Sequence, residues 1–145
     1  MEVAKIAARR WAPYLAVVVF VSCARHGPSQ QAPIAVGSSV ARAVPAPLGR
    51  PNDPPKIVRV WISQDSVAAG DVLRGHVTTT TNVASLEVRL GPRSATLKRT
   101  TFGQFEGAFH VPRVPAFLRR SYDVDLIARN AAGRSAQTQI TIAFR

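Results

Sequence analysis

Cysteine occurs once in the 145 residues, at Cys23, so no disulfide can staple this chain internally. Acidic residues are also scarce: eight against 19 lysines and arginines, a formal charge of +11. That balance points to polyanions as partners and leaves little acidic surface for cationic ones. Aromatic residues make up 7% of the chain, too sparse to interleave with the arginines as a base-stacking surface requires, which disfavours nucleic acid. The apolar run from Trp11 to Val21 contains Pro13 and falls short of the ~20 residues that a membrane-crossing helix needs. No Gly-rich phosphate loop, Cys-x-x-Cys pair or acidic calcium loop occurs. Three histidines, at 26, 76 and 110, lie in no arrangement that suggests a nucleophile–base–carboxylate triad. The sequence therefore reads as non-enzymatic, with no cofactor and no metal.

What is present begins at the N-terminus. Lys5, Arg9 and Arg10 precede the apolar run, and the small Ser22 leads into Cys23. A charged start, a short apolar stretch and a small residue at the boundary describe an export signal over residues 1–22. Arg25 and His26 follow at once, so no stop-transfer segment develops. Phe20-Val21-Ser22-Cys23 resembles the lipobox of bacterial lipoproteins, with Phe20 where that family usually has leucine. The resemblance implies that Cys23 is lipidated and becomes the first residue of the mature chain. Ala24, in place of aspartate, implies no retention at the inner membrane. The plain alternative is a secretory peptide whose apolar region happens to end in a cysteine.

Residues 23–55 change character. Seven prolines, from Pro28 to Pro55, are scattered among Ala, Ser, Gln and Gly. Such a stretch buries too little surface to offset its ordering entropy, so a disordered tether is expected. The alternative is that it wraps the following domain as extra strands.

From Lys56 to Arg145 the apolar residues alternate with period two, the pattern of half-buried strands. Val58, Val60 and Ile62 alternate with Arg59 and Trp61, Leu86, Val88 and Leu90 with Glu87 and Arg89. Phe105, Phe109 and Val111 alternate with Glu106 and His110, and Tyr122, Val124, Leu126 and Ala128 with Asp123, Asp125 and Arg129. Seven short strands in 90 residues predict an all-β, seven-stranded immunoglobulin-like sandwich over 56–145. An eight-stranded small barrel is the rival fold. Ser121 to Gly133 looks like the penultimate strand and hairpin of bacterial Ig-like and fibronectin III-like domains, and Val67-Ala68-Ala69-Gly70-Asp71 resembles their first turn. That resemblance implies a tyrosine corner at Tyr122.

Within this segment 13 basic residues face 6 acidic ones, a formal +7. In Ig-like topology the connections after strands one, three and five gather at one end, which would place Arg93, Arg113, Arg119 and Arg120 together there. Asp65 and Asp71 would moderate that end. The tether would enter at the opposite end. Trp61, outward beside Arg59, is the other candidate contact, as a stacking platform for a sugar or an interface anchor. His76 and His110 read as solvated surface residues, and Asp123 and Asp125 as partners of Arg89 or Arg129. Ala116-Phe117-Leu118 reads as a plug at the open end of the sandwich. The expectation is a lipid-anchored module of the bacterial cell envelope that binds an envelope protein or an anionic polymer. The alternative is a carbohydrate-recognition module built on Trp61. Expressed in a bacterial host, the chain should show the mass of an acylated protein starting at Cys23 and partition into detergent. Cys23→Ala should abolish both, and an unmodified wild-type chain would refute the anchor.

Overall fold

The structure, a computed structural model, describes residues 32–37, 44–113 and 115–145. The expected export signal, Cys23 and residues 23–31 lie outside the described residues. Ten strands form among the described residues: β1 Ile34–Val36, β2 Ile57–Ile62, β3 Ser66–Val67, β4 Val72–Thr79 and β5 Val83–Leu90, then β6 Arg93–Thr96, β7 Lys98–Thr101, β8 Gln104–His110, β9 Ser121–Asn130 and β10 Ser135–Phe144. One sheet has the order β1-β2-β4-β8-β7 and the other β3-β10-β9-β5-β6. The arrangement is an all-β sandwich with an immunoglobulin-like strand order, not a closed barrel. The strand count departs from seven because β1 comes from the expected tether, β3 breaks off before β4, and a short β6 joins β5 before the chain crosses to β7. Among the described residues the one helical element is a 3₁₀ turn at Ala116–Leu118. No helix among them is long and apolar enough to cross a membrane.

The period-two pattern is realised across the two sheets. Val60, Ile62, Val77 and Phe105 from the first meet Leu86, Val124, Leu126, Ala128, Ile140 and Ile142 from the second. All are buried, and Leu86 and Ala128 are fully so. One phase expectation is corrected. A β-bulge between Ile57 and Arg59 shifts the β2–β4 register, so Ile57 is buried and Val58 only half-buried. The extra residue turns the strand by one face, as a bulge must. Phe109 is also more exposed than its phase predicts, at 45%, because β8 runs on from Gly107 beyond the last residue paired with β7, Glu106.

The tether reading is corrected in part. β1 lies parallel to β2, pairing Ile34 with Val60 and Val36 with Ile62. Ala32 is buried, its amide donating to Thr138 Oγ1 on β10 at 3.3 Å. Residues 44–55 lie against the β4–β5, β7–β8 and β9–β10 turns. Gln104 Nε2 donates to Val44 O at 2.8 Å and Thr81 N to Pro47 O at 3.0 Å. Asn82 Nδ2 donates to the carbonyls of Arg50 and Asp53, both at 2.8 Å, and Asn130 Nδ2 to those of Pro51 and Asp53, at 3.2 and 2.9 Å. Proline has no amide hydrogen, so the segment offers carbonyls above all, and side-chain amides of the sandwich satisfy them. The packed structure therefore starts well before residue 56.

Gly103 shows how close this approach is. Its φ is +73°, and a Cβ there would stand 2.5 Å from Ala46 Cβ and 2.7 Å from Thr79 O. Gly103→Ala combines a left-handed backbone with that clash. It should lower unfolding stability by about 2 kcal/mol or more and make residues 44–49 more sensitive to proteolysis, measured by chemical denaturation and limited digestion. Unchanged stability would mean that the segment does not pack here.

Candidate functional site

The strand registers define two ends. Val72 pairs with His110 and Ser121 with Ala143, so the β3–β4 turn, the β8–β9 connection and the end of β10 share one end. Gly70 N donates to Val111 O and Val111 N to Asp71 O, both at 2.9 Å, while Phe144 N reaches Arg120 O at 3.1 Å. Leu90 pairs with Arg93 in the tight β5–β6 turn, and Arg89 pairs with Asp125, which places that turn at the same end. Arg93, Arg113, Arg119 and Arg120 are all exposed there. The Arg120 guanidinium lies over the Tyr122 ring, 5.1 Å from its centroid, and Tyr122 packs edge-on against Phe144 at 5.3 Å. A cation stacked this way keeps its outward N–H groups for a ligand while its carbon faces the ring.

The two acidic residues of this end, Asp71 and Asp65, temper the field unequally. Asp71 Oδ2 accepts from Ala68 N at 2.7 Å and from Gln64 Nε2 at 3.2 Å, so its charge is turned into the β3–β4 turn. Asp65 is exposed, with its backbone carbonyl accepting from Ala143 N, so its carboxylate does offset part of the arginine charge. Ala116-Phe117-Leu118 is not the expected plug as far as Phe117 goes. The 3₁₀ turn, closed by Arg119 N to Ala116 O at 3.2 Å, holds Phe117 in solvent at 82% exposure.

The opposite end is covered by residues 44–55. Its turns, the ones that carry binding loops in variable immunoglobulin domains, are thus occupied by the chain itself. Among the described residues the connections at the arginine end carry no such cover.

Trp61 lies on the outer face of the first sheet, half-buried between Ala35 of β1 and His76 of β4. That placement gives a sugar-stacking platform little free ring face. His76 Nε2 is 2.7 Å from Gln104 Oε1 and its Nδ1 3.2 Å from Glu106 Oε1, so it is tied into the sheet surface and not simply solvated. His110 is exposed and pairs with Val72. It lies four positions along β8 from Glu106, the partner of His76, about 13 Å at the rise of a strand. Among the described residues no group of three or more His, Cys, Asp or Glu could hold a metal ion.

On the second sheet the charge pairing differs from expectation. Arg89 Nε donates to Glu87 Oε1 at 2.8 Å and Arg129 Nη1 to Glu87 Oε2 at 2.6 Å. Asp125 instead accepts from Gln139 Nε2, and Asp123 from Thr141 Oγ1. Glu87 and Arg89 are two apart on one face of β5, and Arg129 sits diagonally across β9. Glu87 therefore reaches both cations, a signal that two-residue spacing on a single strand could not reveal. The half-buried Ile127 lies directly opposite Glu87.

No family model matches this chain, and no curated protein matches it. Among solved structures, one of the fibronectin(III)-like modules of Clostridium thermocellum CbhA is similar, with a TM-score of 0.44 and 16% identity, over 59% of this chain and 93% of that one.

The hydrogen bond from Arg89, then that from Arg129, holds the Glu87 carboxyl down to about 2 from its ordinary 4.5. A carboxylate whose folded value is depressed stabilises the fold above its unfolded value, and that contribution fades as pH falls towards the folded one. Glu87→Gln should therefore lower the melting temperature at neutral pH, and the gap from wild type should close between pH 4.5 and about 2. Melting curves across that range check this; a constant gap would mean the two arginines do not favour the ionised carboxylate.

Proposed function

We propose that this chain is a non-enzymatic β-sandwich binding module, held at the bacterial envelope through lipidated Cys23, whose arginine end engages an anionic partner. The observation that carries the reading is the division of the sandwich into two unlike ends. One is covered by residues 44–55, and the other presents Arg93, Arg113, Arg119 and Arg120 exposed. Four guanidinium groups against the carboxylates of Asp65 and Asp71 leave a net basic field suited to phosphate- or sulfate-bearing polymers, or to an acidic protein face. Guanidinium groups bind such oxyanions bidentately, which gives specificity as well as attraction. The β6 edge, with all four residues exposed, lies beside this end and offers backbone groups to an extended partner segment.

Replacing Arg93, Arg113, Arg119 and Arg120 together by alanine should weaken binding to a sulfated or phosphorylated polysaccharide about tenfold. Elution from immobilised heparin at lower salt, with the melting temperature preserved, would register the loss. Unchanged retention would refute the arginine end as the contact. Unchanged retention here but a loss on Trp61→Ala would favour the carbohydrate module instead.

A further inference from the structure

The covered end carries a second feature that the arginine end does not explain. Leu48 is 93% exposed and Phe102 71% exposed, and both project from this end. Leu48 sits between Pro47, whose carbonyl accepts from Thr81 N, and Gly49, whose amide donates to Thr81 Oγ1 at 3.0 Å. Phe102 tips the β7–β8 turn next to Gly103, whose carbonyl accepts from Thr79 N at 2.8 Å. Thr79 and Thr81 are two apart in the chain, and Gly103 abuts Ala46. The two apolar tips are therefore neighbouring projections on hydrogen-bonded loops.

Cations share this end with them. The Arg99 guanidinium lies 5.2 Å from the Phe102 ring centroid, and Arg50, Lys56 and Arg134 belong to the same end and are exposed. Among the described residues the carboxylate of this end is Asp53, which accepts from Arg50 N at 3.1 Å. Large apolar side chains on convex tips, with cations at the same end, suit a soft and anionic apolar boundary better than a second folded surface, which needs a contiguous patch. We infer that this end docks on an anionic lipid bilayer, with Leu48 and Phe102 entering the headgroup region and the cations of this end on lipid phosphates.

The position of the N-terminal segment agrees, on the reading of Cys23 as the anchor. Eight residues lie between Cys23 and Ala32, a reach of at most ~30 Å. Ala32 joins the sandwich at Thr138, three residues from the start of β10 at Ser135 and six from its end at Phe144, so nearer the covered end. Docking would then hold the arginine end away from the membrane.

The test uses the full chain carrying Cys23→Ala, so that acylation plays no part. A single cysteine for an environment-sensitive fluorophore is added as Thr101→Cys beside Phe102, or as Ala116→Cys beside Phe117. Both positions are exposed. With vesicles of phosphatidylglycerol and phosphatidylcholine, the label at 101 should brighten and shift to the blue, and the label at 116 should not. Phosphatidylcholine alone should give little response. Adding Arg50→Gln and Arg99→Gln should weaken the response at 101 roughly tenfold in a lipid titration. A response at 116 instead would overturn both this docking and the outward-facing arginine end. No response at either label would overturn the docking alone, and would leave the polymer-binding reading to its own test.

Discussion

The register of β9 is the constraint on which the other parts depend. Lying between β10 and β5, it puts Val124, Leu126 and Ala128 in the core and Asp123, Asp125 and Arg129 on the outer face. A slip of one residue would exchange the faces and bury two carboxylates, which a low-dielectric interior does not tolerate unpaired. The same strand fixes both ends of the molecule. It begins immediately after Arg119 and Arg120 and finishes at Asn130, whose amide holds the carbonyls of Pro51 and Asp53. Shifting β9 would therefore move the basic end and release the covered end together.

The covered end shows how a segment of few large apolar residues becomes ordered without a core of its own. Its prolines are poor in donors, yet its carbonyls point at Asn82, Asn130, Gln104 and the Thr81 amide. Asn82 is itself held, since its Oδ1 accepts from Thr80 Oγ1 at 2.7 Å, and Asn130 Oδ1 accepts from Arg134 N at 2.8 Å. Each amide is thus oriented by groups outside the proline-rich segment, and proline's restricted φ limits the entropy lost on ordering. The two ends of the sandwich differ in chemistry for this reason.

The alternation of Val124, Leu126 and Ala128, and of Leu86 and Val88, was legible because a half-buried strand leaves a period-two trace in the sequence. The bulge at Ile57–Arg59 was not, since an extra residue in one strand shows only against its partner. The order of residues 44–55 is hidden for a similar reason: composition reports how much a segment can bury, not whether side chains distant in sequence will donate to its carbonyls. Of the candidate site residues, the four arginines fell at one end as topology required. Trp61 had the expected outward phase, but β1 could not be anticipated beside it. The pairing of Glu87 with two arginines leaves no trace in the sequence because its link to Arg129 spans two strands.

By itself, then, the sequence determined an all-β sandwich, its inward and outward residues, and a basic domain following a proline-rich stretch. These follow from local periodicity and charge, which any short window records. Tertiary structure decided where the packed chain starts, which end it closes, and which side chains stand free. Those depend on contacts between residues as far apart as Pro51 and Asn130, and pairing at that range leaves no mark on the local pattern.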